Sequence, residues 1–207
     1  MNEIERLFAR TGTGAAFARA YLSYVQQVLS GIDADAVAQL IEILLSARDR
    51  DAQIFLLGNG GSAATASHFA NDIGFGSRSW TRPFRATSLC DNAAVVTAIA
   101  NDFGYEAIFV TQLKTAMRRG DVVVAISVSG NSPNVVGAVE YANAHGGVTV
   151  GLTGFDGGRL KEIAHLNVHV PTNAGEYGPA EDGHMVIDHL VGAFLMHACR
   201  AGSGENP

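Results

Sequence analysis

Charge, proline and cysteine are all scarce in this sequence. Only 16% of its 207 residues are charged, against about 25% in an ordinary soluble domain. So thin a charged surface points to faces covered in an oligomer. Cationic excess is missing too: 14 Lys+Arg against 20 Asp+Glu give a net charge of −6. That argues against a nucleic-acid footprint and against a polybasic membrane contact. The two cysteines, Cys90 and Cys199, exclude a disulfide framework or a cysteine-rich metal cluster. No run of 18 apolar residues is present, so no membrane span is expected. The opening MNEIERLFAR has neither the cationic start nor the apolar core of a signal peptide. These absences lead to the expectation of a soluble, cytoplasmic protein of one domain with a helical extension. With 24 glycines against 5 prolines, glycine marks turns and backbone-lined sites rather than collagen or disorder.

What is present alternates. Phe17, Tyr21, Tyr24, Val25 and Val28 recur at helical spacing, and a second helix over about 33–48 carries Val37, Leu40, Ile41 and Leu44 on one stripe. A buried strand at 53–57 follows, stopped by Gly58. Further strands are expected at 84–89, 122–126, 148–152 and 166–170. Helices are expected at 63–73, 93–100, 105–117, 133–144, near 160–164 and over 180–199. Continuously apolar strands alternating with helices imply an α/β, doubly wound parallel sheet. Residues 1–50 read as the helical extension, 51–200 as the α/β domain, and 201–207 as a disordered tail.

In such sheets ligands sit at the carboxyl ends of the strands, so the loops there matter most. The third strand ends in Ser127-Val128-Ser129-Gly130-Asn131-Ser132, and Pro133 opens a helix. Hydroxyls facing a helix N-terminus suit an anion. With no Lys or Arg in the loop, a phosphate held by hydroxyls and amides rather than by charge suits a phosphomonoester on a small sugar. A turn rich in Ser and Gly for turn reasons alone would look similar. The first strand ends in Gly58-Asn59-Gly60-Gly61-Ser62. It lacks the Lys of a nucleoside-triphosphate loop. Gly58, Gly60 and Ala63 fit the dinucleotide pattern, but residues 76–85 hold no ribose-binding acid.

His68 and Asp72 stand four apart on the helix after the first loop, so they share a face and can bind one metal ion or share one proton. The last helix carries Glu181, Asp182, His184, Asp188 and His189 on its polar side. Taking Glu181 as 0°, His189 falls at about 80° and Asp182 at about 100°. Periodicity does not choose between Glu181 and Asp182 as the partner of His189. His184 reads as a neighbour of the site or a surface residue.

Five segments in order, at 58–62, 67–70, 97–106, 127–132 and 152–158, resemble the SIS (sugar isomerase) domain in its phosphoheptose isomerase branch. The resemblance covers nearly the whole chain. It implies a five-stranded, flavodoxin-like three-layer sandwich and a homotetramer with active sites at subunit interfaces. The implied reaction interconverts sedoheptulose 7-phosphate and D-glycero-D-manno-heptose 7-phosphate through an enediol, for nucleotide-activated heptose synthesis. Ser62, Ser127, Ser129 and Ser132 would hold the phosphate, with Gly60 in the first loop. Asn59 and Asp102 would contact sugar hydroxyls. Zinc would be held by His68, Asp72, Glu181 and His189. Asp72 would serve as base or ligand and His189 as acid–base group, since imidazole titrates nearest neutral pH. Departures from the family pattern are Asp72 in place of Glu, Glu181 in place of a frequent Gln, Val128 in place of a hydroxyl residue, and Gly76 in place of an Arg. A second carboxylate in the site strengthens the requirement for a cation. The rival reading is a non-catalytic relative that binds the replication initiator DnaA; Asp72, Glu181 and His189 argue against it.

Overall fold

The computed structural model describes residues 1–203, with side chains as far as 200. Of the tail expected to be disordered, 201–207, only the helical backbone to Ser203 lies within the described residues. The chain opens with a helix that hydrophobic periodicity missed, α1 (Glu3–Thr11). Asn2 accepts from the Glu5 N–H, the Glu5 carboxylate accepts from the Asn2 N–H, and Gly12 closes the helix at φ 62°. This is a capping box followed by a left-handed terminus. Then come α2 (Gly14–Ser30) and α3 (Ala34–Asp49), started by Thr13 and Asp33 side chains that accept from the first turn.

The five expected strands are β1 (Gln53–Gly58), β2 (Arg85–Ser88), β3 (Val122–Ser127), β4 (Val148–Thr153) and β5 (Leu166–His169). Every pair is parallel, in the order β2-β1-β3-β4-β5. This is the flavodoxin-like doubly wound sheet. Between the strands lie α4 (Gly61–Asn71), α5 (Ala93–Phe103), α6 (Ile108–Ala116), α7 (Pro133–Ala144) and α8 (Gly158–Ile163), and α9 (Tyr177–Ser203) ends the described chain. The expected 105–117 helix is split, because Gly104 at φ 89° leads into a 3-10 turn at Tyr105–Ala107 before α6. The α9 helix starts earlier than expected; Pro179 falls in its first turn, where a missing N–H costs nothing.

Two apolar cores sandwich the sheet. One joins it to α3, α4 and α9 through residues such as Leu40, Leu44, Phe69, Ile187 and Leu195. The other joins it to α5, α6 and α7 through Ile99, Phe109, Leu113 and Val139. The expected boundary at residue 50 therefore falls between α3 and β1, two elements that share one core. A buried carboxylate ties the N-terminus to this body. Glu176, 1% exposed, accepts from the Tyr24 hydroxyl, the Glu3 N–H, and the Asn173 N–H and amide. Burial alone would push this carboxyl up, but those donors outweigh it and hold it below its ordinary value.

A group depressed in the folded state stabilises above its unfolded pKa and loses that contribution as pH falls through the folded pKa. Glu176→Ala is expected to lower unfolding stability by about 1–3 kcal/mol by orphaning its donors. In urea titrations from pH 7 towards pH 3, the advantage of wild type over Glu176→Gln should shrink as the acid limb is reached.

Candidate active site

Strand order reverses direction between β1 and β3, so the connections leaving their carboxyl ends cross to opposite faces and open a crevice. A cavity of about 140 Å³ lies there, lined by Asn59, Ser62, Ser127, Ser129, Ser132, Tyr177 and Glu181 together with Ile126 and Val128. Four of the expected phosphate-binding hydroxyls thus share one pocket, with no basic side chain in its lining. Ser132 precedes α7 without using its side chain as a cap, and its hydroxyl lies 3.4 Å from that of Ser127. The α7 N-terminus is left facing the cavity, which favours an anion.

The β3–α7 loop is held by the first turn of α8. Gly130 accepts from the Leu160 N–H at 2.8 Å, and Asn131 accepts from the Arg159 N–H at 2.9 Å while donating to the Ser129 carbonyl. Gly130 sits at φ 65°, and a Cβ there would collide with the Gly157 carbonyl. Both constraints require glycine. Gly130→Ala should cost about 2 kcal/mol or more in stability and weaken inorganic phosphate binding by isothermal titration calorimetry.

Asn59 is committed within the protein. Its amide exchanges hydrogen bonds with the buried Asn134 at 2.8 and 2.9 Å and accepts from the Tyr105 hydroxyl at 2.8 Å. This pair ties the first loop to α7; Asn134 did not stand out in the sequence, and Tyr105 entered as part of the 97–106 segment. Gly60 lines an adjacent cavity with Asn59, Cys90 and Tyr105. Asp102 is exposed on α5, accepts from the Asn101 amide, and lines neither cavity.

Deeper along the crevice, α4 and α9 lie side by side and run parallel. Three contacts give their register. A Cβ on Gly61 would collide with the Glu181 carboxylate, His68 meets His189, and a Cβ on Gly192 would meet Asp72. His68 and His189 place their Nε2 atoms 3.2 Å apart, and His68 Nε2 is 3.6 Å from Asp72 Oδ2. Asp72 begins a π-helical turn, Asp72–Gly76, a distortion common at functional sites. The sequence predicted His68, Asp72 and His189 together, and the structure brings them together.

Glu181, expected with them, faces the serine pocket instead. It lies level with Gly61 at the start of α4, where burial and then Asp182 push its carboxyl up. The fourth group beside the histidines is Asp188. One donor atom each from His68, Asp72, Asp188 and His189 lie within 4.8 Å of one another. Asp188 is fully buried, neither of its oxygens has a hydrogen-bond partner, and burial together with Asp72 pushes it up to about 8. His184 is likewise buried rather than at the surface. Its Nε2–H donates to the Thr153 carbonyl, and burial holds the ring neutral with a pKa of about 4. Asp182 accepts from the Tyr21 hydroxyl and so ties α2 to α9.

The SIS domain family model matches residues 17–154. A phosphoheptose isomerase from Geobacter metallireducens is 41% identical over 155 residues, covering 75% of this chain and 81% of the relative. One from Burkholderia pseudomallei is 34% identical over 184 residues, covering 86% and 91%. The chain belongs to the phosphoheptose isomerases of the SIS-domain family. The solved phosphoheptose isomerase from Neisseria gonorrhoeae superimposes with a TM-score of 0.78 at 30% identity, over 87% of this chain and 96% of the other. The one from Francisella tularensis, at 23% identity and a TM-score of 0.79, shares the fold.

A family member of this kind raises the question of a metal ion. A tetrahedral ion with bonds of about 2.0–2.2 Å holds its donors about 3.3–3.6 Å apart. The 3.2 Å and 3.6 Å separations around His68 are close to that. Two imidazoles and two carboxylates, one of them the buried, unpartnered Asp188, fit a divalent cation.

Proposed function

We propose that this chain is an aldose–ketose isomerase interconverting sedoheptulose 7-phosphate and D-glycero-D-manno-heptose 7-phosphate through an enediol, feeding synthesis of nucleotide-activated heptose. The observation that carries this reading is the spacing along α4. Ser62 lines the hydroxyl pocket, and His68, six residues further on, begins the imidazole–carboxylate cluster. Six residues are about 9 Å of helix, comparable to the reach of an open-chain seven-carbon sugar from its terminal ester to its carbonyl end.

Ser62, Ser127, Ser129 and Ser132 hold the phosphate with the α7 N-terminus, and the lack of a lysine or arginine in the pocket suits a singly esterified phosphate. Asn59 orders the first loop through Asn134, and Glu181 faces the sugar hydroxyls between ester and cluster. In the cluster, an Asp72 carboxylate oxygen takes the proton from the carbon beside the carbonyl and returns it to its neighbour. His189 moves a proton between the two oxygens. Alternatively, a zinc ion held by His68, Asp72 and His189 would stabilise the developing oxyanion as a Lewis acid in place of that shuttle. An imidazole that holds the ion through its lone pair is not a base, so dependence of turnover on zinc distinguishes the shuttle from the ligand role of His189.

Exposed Leu22, Val186, Leu190 and Phe194 on α2 and α9, with an apolar groove of about 330 Å³ between α3 and α9, support a homotetramer in which these helices pack and the sites lie near interfaces. No described helix is long and apolar enough to cross a membrane. A charged sugar phosphate as substrate favours the cytoplasm.

The test is incubation with sedoheptulose 7-phosphate in added zinc and in chelator, with the aldose product followed. Conversion is expected in zinc; no aldose in either condition refutes the reading. Ser129→Ala and Ser132→Ala should raise KM several-fold with little change in kcat, because they remove contacts made equally in the ground state. His189→Ala should lower kcat about 10²–10⁴-fold.

A further inference from the structure

The chemistry above leaves one group without a task. Asp188 is fully buried, and both its carboxylate oxygens lack any hydrogen-bond partner. Buried polar groups are normally satisfied, and removing one from water without a partner is costly. The side chain faces two imidazoles and a second carboxylate, with donor atoms of all four residues within 4.8 Å of one another. No Lys or Arg is paired with either carboxylate among the described ion pairs.

Helix register settles which carboxylate belongs at this level. α4 and α9 run parallel, and Gly61 is level with Glu181. Seven residues on, His68 is level with Asp188 and its neighbour His189. Glu181 and Asp188 lie on the same face of α9, two turns apart, or about 10.5 Å. Glu181 therefore reaches the serine pocket and Asp188 reaches the histidines.

We propose that Asp188 is a direct ligand of the divalent ion, completing a two-histidine, two-aspartate centre with His68, Asp72 and His189, while Glu181 serves the sugar pocket. This rests on the reading that the cluster holds an ion. Two neutral imidazoles and two carboxylates balance a divalent charge; without the ion the carboxylates repel each other in a buried site.

The test uses full-length protein stripped with chelator, and it reads binding rather than turnover. Zinc affinity is measured by competition with a chromogenic chelator, and cobalt(II) coordination by its visible absorption. Asp188→Asn should weaken zinc binding by more than about 100-fold, beyond the about 10–100-fold cost of losing a residue that only supports a ligand, and alter the cobalt bands. Glu181→Gln should leave both close to wild type. The ion-free Asp188→Asn protein should melt at or above ion-free wild type, since one of two facing carboxylates is gone. Asp188→Cys gives a positive signature, a near-ultraviolet thiolate-to-cobalt charge-transfer band. Wild-type zinc affinity in Asp188→Asn, or no charge-transfer band in Asp188→Cys, overturns the assignment of Asp188 alone. Loss of zinc in Glu181→Gln with none in Asp188→Asn overturns it in favour of Glu181. Failure of wild type to bind either ion overturns the metal reading itself.

Discussion

The parallel pairing of α4 with α9 is the constraint on which the site depends. His68 and Asp72 come from the helix after β1, and Asp188 and His189 from a helix more than a hundred residues later. They meet because an apolar stripe on α9, including Ile187, Val191 and Leu195, is buried in the same core as Phe69 and Ile73. The polar side of the same contact is closed by small residues. Gly61 gives room to the Glu181 carboxylate, into which a Cβ would push, and Gly192 lies where a Cβ would make a tight 3.3 Å contact with Asp72. A bulkier contact would set the helices apart and separate the imidazoles, now 3.2 Å from each other.

The electrostatic pattern follows from that packing. At one end, serine hydroxyls and a helix N-terminus line a pocket with no basic side chain. At the other end, carboxylates and imidazoles gather where water is largely excluded from Asp188. Burial and Asp72 together favour the neutral acid at Asp188 when no cation is present. His184, a turn earlier on α9, is buried too, but it faces the Thr153 carbonyl and is held neutral, so it adds no charge to the cluster. The crevice thus has a hydroxyl-lined pocket at one end and an imidazole–carboxylate cluster at the other, along about two turns of helix.

Much of this was legible in the sequence, for identifiable reasons. Loop motifs are contiguous, so the serines of the β3–α7 turn and the glycines after β1 pointed to a pocket at the strand ends, while the reversal between β1 and β3 that locates it is visible only in the fold. The His68–Asp72 pair was legible because helical spacing fixes a shared face. Periodicity gives the face of a helix and not its height against a neighbour. Glu181 and Asp188 share a face of α9, and only the register against α4, visible in three dimensions, separates them. Asn134 and Tyr177 escaped notice because they reach the site through space from unremarkable positions. The α1 helix escaped because it is short and mostly exposed, although the Asn2 and Glu5 spacing of a capping box was there to be read. Asp102, implied by resemblance to known relatives, sits on the exposed side of α5, paired with Asn101.

The central claim is a division of labour, in which a remote ester is gripped by hydroxyls so that a carbonyl is held against imidazole and carboxylate. Binding energy from the non-reacting end of a substrate supports turnover when it positions the reacting end. The most direct measurement compares kcat/KM for sedoheptulose 7-phosphate with that for unphosphorylated sedoheptulose. Efficient conversion of the ester, with the free sugar at least about 100-fold poorer, is the expected result. Equal efficiencies, or no conversion of the ester, would contradict it.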